Sequence, residues 1–177
     1  MHMSKIRRPI VLGIIIIVCY LLESTVFQTL SFASITPNLL IVVTSAFGFM
    51  RGNKEGMFVG FFSGLLIDIF FSEYVGFYAL IYMVIGYVNG YFNRIFYPED
   101  IKMPLFLIAA SDFIYGNLIC IFMFIMRSRF DYAYYLKNII IPELIYTILV
   151  TLVLYQIILK INEELEAIEK RSASKFV

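Results

Sequence analysis

Histidine occurs once in these 177 residues, as His2, and charged residues make up only 15% of the chain. With a single imidazole in an unanchored tail, no histidine-based metal or catalytic site can be built, and neither a Ser-His-Asp nor a Cys-His arrangement is available. The two cysteines, Cys19 and Cys120, lie in separate apolar runs without ligand spacing. They read as small apolar residues rather than a disulfide or a metal site. No glycine-rich loop followed by lysine is present to cradle a phosphate. A net charge of +1 carries no argument for nucleic acid, and neither a cofactor nor a nucleic-acid partner is expected.

What the chain has in excess is apolar surface. It is 61% hydrophobic and 18% aromatic, with a mean hydropathy of +0.86. A soluble domain carries about 45–50% apolar and about 25% charged residues, and a core of this length cannot hide the surplus. The fold class is therefore all-α, a polytopic integral membrane protein.

Six helices are expected. Lys5, Arg7 and Arg8 precede Pro9, which suits a first helical turn, and an apolar run of about 22 residues follows to residue 30, long enough to span. An uncharged link at 31–36 leads to Pro37 and Asn38 and a short helix at 39–50. A basic turn, Arg51 to Glu55, opens a third helix at 56–71. A tight link follows, then a fourth helix at 77–92, antiparallel to the third. After a polar loop at 93–102, Pro104 opens a fifth helix ending near residue 126. A tyrosine-rich connection at 127–137 reads as an interfacial belt, and the sixth helix, 138–160, is kinked at Pro142. Residues 1–161 are thus expected to form one transmembrane domain and 162–177 a charged cytoplasmic tail.

Positive charge sets the orientation. With the N-terminus inside, Lys5, Arg7, Arg8, Arg51, Lys54, Arg94, Lys102, Lys160, Lys170, Arg171 and Lys175 face the cytoplasm. Only Arg127, Arg129 and Lys137 face outward. This is the positive-inside bias, with both termini cytoplasmic.

Two features stand out. Gly56, Gly60 and Gly64 recur every four residues and end in Asp68, with Gly86 and Gly90 repeating the spacing in the next helix. Such a ladder stays on one sector of a helix and lets another backbone come close in lipid, either within the monomer or at a partner interface. Four carboxylates, Glu23, Asp68, Asp112 and Glu143, also sit within apolar runs. Each is costly there. They fit a proton or cation pathway or a polar pocket; the plainer alternative is wetting at helix ends. Ser63, Ser111, Tyr115 and Asn117 are their candidate hydrogen-bond partners. The basic turn at Arg51 and Lys54 is suited to anionic lipid or a cytosolic partner.

The segments Thr36–Leu40 (TPNLL), Phe49–Gly56 (FMRGNKEG), Val59–Asp68 (VGFFSGLLID) and Gly76–Tyr82 (GFYALIY) follow a basic first span. In this order they resemble the rod shape-determining protein MreD family of the bacterial cell-elongation machinery. The likeness covers nearly the whole chain. It departs at Glu143, where members often carry a small or polar residue, so no role is carried over there.

The resemblance implies a non-enzymatic scaffold in the inner membrane that binds MreC and supports peptidoglycan synthesis and cell shape. It also implies proximity to the elongation transpeptidase and RodA, to MreB filaments and to other copies of itself. Members are similar in fold to the substrate-binding subunits of energy-coupling-factor vitamin transporters. A transporter subunit is therefore the alternative, with a pocket near Asp68, Asp112 and Glu143. The first helix argues against it, since GIIIIVCYLLESTV places branched bulk where such subunits need small residues. A lipid-acting enzyme is weaker still, because no Lys or Arg at depth offers a phosphate clamp.

Overall fold

A computed structural model describes residues 2–27, 35–72, 75–98, 100–127 and 132–174, without the side chains of 2–6, 123–127 and 172–174. The link at 31–36, Glu73 and Tyr74 of the second link, and the charges of Lys5, Arg127, Arg129 and Lys175 fall wholly or partly outside these residues. Seven helices occupy the described chain: α1 His2–Leu21, α2 Leu39–Arg51, α3 Asn53–Phe71, α4 Phe77–Tyr91, α5 Lys102–Arg127, α6 Tyr132–Tyr135 and α7 Ile141–Ser174. A π turn, Leu22–Val26, prolongs α1, and a second, Leu136–Ile140, joins α6 to α7.

The short helix α2 is the hub. Every residue from Leu39 to Met50 is buried, and α1, α3, α4, α5 and α7 all pack on it. Its sequence explains this position. It is apolar all round, which marks a helix enclosed by protein, and Ser45, Ala46 and Gly48 let neighbours approach. The outer helices bury far less. Ile10, Ile14 and Leu21 of α1, Phe106 of α5 and Leu149 and Val153 of α7 each leave half or more of their surface exposed. Apolar side chains turned outward around a buried hub are the arrangement lipid requires. Three helices are long and apolar enough to cross a membrane, at Arg7–Val26, Lys102–Phe122 and Tyr132–Arg171, and Leu39–Arg51 is a shorter apolar helix.

Three boundaries differ from expectation. Inside the connection expected at 127–137 the chain is already helical from Tyr132, and it runs through the π turn into the last helix. Helix α1 starts at His2, so Pro9 lies inside it rather than in its first turn. The last helix runs through residue 160 to Ser174 without a break, because Leu165, Asn162 and Ile158 continue one buried stripe along it. Pro142 cannot donate a backbone hydrogen bond, and the π turn immediately before it absorbs the irregularity.

Candidate functional site

The glycine ladder is filled from within the chain. A Cβ on Gly56 would strike the Gly86 carbonyl, one on Gly60 the Tyr82 carbonyl, and one on Gly64 the backbone of Tyr78 and Ala79. From the other side, Gly86 meets the Gly56 backbone and Gly90 meets Asn53. All five glycines therefore lie in the α3–α4 contact, the most extensive in the molecule. The face that a partner helix would need is already occupied by α4.

Two of the four carboxylates cap helices. Asp68, in the last turn of α3, accepts backbone N–H groups from Gly76 (3.0 Å), Tyr78 (3.0 Å) and Ala79 (2.9 Å). These are the orphan donors at the start of α4, and the carboxylate also meets the positive end of the helix dipole. Gly76, at φ 101°, gives the left-handed turn that brings them round. Glu23, on the first π turn, accepts Leu39 N–H at 3.0 Å and Leu40 N–H at 3.3 Å. Asn38 completes that cap by accepting Ile41 N–H at 3.0 Å. Because α2 begins among buried residues, its first donors take side-chain oxygens in place of water. Of the four partners expected from the sequence, Ser63, Ser111 and Asn117 make no hydrogen bond to these carboxylates among the described residues. Ser111 donates to the Leu107 carbonyl and Asn117 to that of Phe113, while Ser63 Oγ has no hydrogen-bond partner among the described residues.

The structure brings Glu23, Asp112 and Glu143 together and leaves Asp68 apart. The three lie within electrostatic range of one another, around the start of α2. Thr147 of α7 accepts Asn38 N–H at 3.1 Å, and Tyr82 of α4 donates to Asn38 Oδ1 at 2.9 Å. Tyr115 packs edge-on to Tyr82, with ring centroids 5.3 Å apart. Asp112 is 3% exposed. The Thr147 hydroxyl is the polar group beside it, yet among the described residues neither Asp112 oxygen finds a hydrogen bond of ordinary geometry. Among the described residues no three acidic, histidine or cysteine side chains are arranged to hold a metal.

At the opposite end of the bundle is a cluster the sequence reading missed. Arg8 of α1 contacts Glu55 (3.5 Å) and Glu169 (3.0 Å) and donates to Asn162 Oδ1 (3.0 Å). Arg51 of α2 pairs with Glu55 (3.4 Å), Glu166 (2.9 Å) and Glu169 (3.5 Å). The turn expected to offer two free cations thus leaves Lys54 exposed and engages Arg51 within the protein. The charged tail segment supplies its counter-ions. Only the alternation of charge in EELEAIEKR hinted at such a role.

A buried apolar hub, lipid-facing outer helices and carboxylates used as helix caps define an α-helical membrane protein. The chain belongs to the rod shape-determining protein MreD family, whose model matches residues 4–163. That is a family of shape-determining membrane proteins and not a known enzyme family. Neither a curated protein nor a solved structure matches the chain.

Proposed function

We propose that this protein is a non-enzymatic scaffold of the cell-elongation complex. In this reading it binds MreC and supports peptidoglycan synthesis beside the elongation transpeptidase and RodA, with MreB filaments and further copies of itself as additional partners. The observation that carries the reading is the family match over residues 4–163. The chain is placed in the bacterial inner membrane with six spans, α1 to α5 and α7, and with both termini cytoplasmic, as the excess of Lys and Arg on that side favours. Residues 1–161 form the membrane domain and 162–177 the cytoplasmic segment. Because the glycine faces of α3 and α4 are turned on each other, partners are met on the outer faces of α1, α4, α5 and α7.

The test is a pull-down from native membrane with a C-terminal tag, followed by intact-mass analysis. Recovery of a single-span, coiled-coil periplasmic protein at fixed ratio is the expected result. An ATP-driven partner together with a bound small molecule would replace the scaffold by the transporter-subunit reading.

A further inference from the structure

Helix α1 is anchored at its two ends, and a groove separates it from α3 up to Tyr20, whose ring meets Phe70 and Phe71. Arg8 holds one end to Glu55, Glu169 and Asn162, and Glu23 holds the other to the start of α2. Between the anchors runs a groove of about 580 Å³, with Leu12 and Gly13 on the α1 side and Phe62 and Ile69 on the α3 side. A Cβ added to Gly13 would meet nothing within 4 Å. From Glu55 to Ile69 the groove follows α3 for about four turns, roughly 21 Å, which exceeds half of the ~30 Å hydrocarbon core. That volume, spread over that length, makes a narrow groove. It suits an extended acyl chain.

The Arg8 end of the groove selects the headgroup. Arg8 and Glu55 both line it. The Glu55 side chain keeps 31% of its surface open. Around them two guanidinium groups and the ammonium of Lys170, 3.9 Å from Glu166, face three carboxylates, so the charges balance. A purely anionic headgroup would add net charge to that balanced set. One carrying both an ammonium and a phosphate complements the pair, with the ammonium donating to Glu55 and the phosphate facing Arg8.

We propose that the α1–α3 groove binds one zwitterionic aminophospholipid of the phosphatidylethanolamine type, its acyl chain lying along Gly13 and its headgroup on Arg8 and Glu55. On the orientation proposed above, this is a lipid of the inner leaflet.

The experiment is native mass spectrometry of the delipidated full-length protein after exposure to vesicles of phosphatidylethanolamine, phosphatidylcholine or phosphatidylglycerol. One retained phosphatidylethanolamine per chain is expected, with loss of that adduct in Gly13→Phe, which fills the groove away from the ion cluster. Equal retention of the choline or glycerol lipid, absence of any retained lipid, or retention by Gly13→Phe would overturn the proposal. Should Gly13→Phe fail to insert, the wild-type protein decides the matter. A phosphatidylethanolamine carrying a photoreactive acyl chain is expected to label α1 and α3 around Leu12 and Phe62. Labelling confined to other helices, or a protein helix cross-linked in the groove instead, refutes it.

Discussion

Gly56 and Gly86 meet backbone to backbone, each lacking the Cβ that the other's carbonyl would strike. In lipid, where burial of apolar surface gives no net drive between helices, this close approach is what holds α3 to α4. Gly60→Leu, Gly64→Leu and Gly86→Ala are each expected to force the helices apart, at a cost of about 1–3 kcal/mol or more. The measurement is the thermal midpoint of the detergent-solubilised protein, followed by size-exclusion fluorescence. Gly13→Ala is the control. It has open space around it, so the gain of roughly 0.5–1 kcal/mol from better helix propensity should leave the midpoint unchanged or higher.

Asp68 closes the α3–α4 hairpin from the other side by capping α4 through three N–H groups. Asp68→Ala is expected to cost about 1–2 kcal/mol as a lost cap, and more because those donors are poorly hydrated. Hydrogen exchange gives the specific readout, with faster uptake at Tyr78 and Ala79 than in the wild type. Unchanged exchange there would mean that Asp68 does not hold the helix end.

Glu23 does the same for α2 from a distant part of the chain. Glu23→Ala should speed exchange at Leu39 and Leu40 while leaving the α3–α4 hairpin protected. Because α2 is the hub, a general loss of stability of about 1–2 kcal/mol should accompany it. Glu23→Gln keeps one acceptor oxygen and is expected to fall between the two. If Gln proves as damaging as Ala, the cap depends on the charge and not only on the hydrogen bond.

The tail is expected to act as part of the bundle. Removing residues 162–177 takes away Asn162, Glu166 and Glu169, and leaves Arg8, only 8% exposed, with Glu55 alone among these partners. A buried charge stripped of partners is strongly destabilising, although the partial exposure of these glutamates tempers the loss. The truncated protein should melt earlier and expose the start of α1 to protease. Arg8→Met in the truncated background should recover part of the loss, since an apolar side chain has no charge to compensate. Equal midpoints for the full and truncated chains would show that the clamp contributes nothing.

The sequence made local features visible and hid the ones that join distant segments. Four-residue glycine spacing is a property of a single helix, so Gly56, Gly60 and Gly64 mark a close-packing face before any fold is known. The helix limits follow from the apolar runs to within a few residues, except where Pro9, the tyrosine-rich stretch before residue 138 and the charged tail suggested ends that the fold overrides. The caps could not be read, because Glu23 and Leu39 are 16 residues apart with a link between them. The ion cluster joins Arg8 to Glu169 across 161 residues. The hub position of α2 had a signal, since the 12-residue run from Leu39 to Met50, too short to span comfortably yet without a charge on any side, is what a fully enclosed helix looks like.

Asp112 differs from the other two described acids with known work. Asp68 and Glu23 stabilise helix ends, whereas Asp112 is buried without a hydrogen bond of ordinary geometry among the described residues. A carboxyl held that way costs stability, and an intramembrane acid kept despite its cost points to use. Asp112→Asn is therefore expected to fold at least as stably as the wild type, with a gain of up to about 1–3 kcal/mol because no unpaired charge is then buried. The same variant is expected to restore rod shape poorly in a strain lacking the protein. Thermal midpoint and cell aspect ratio, measured on the same variant, separate the two effects. A higher midpoint with a lost shape makes the Asp112 carboxyl a working part of the scaffold, while a lower midpoint with normal shape makes it a packing residue and refutes the prediction.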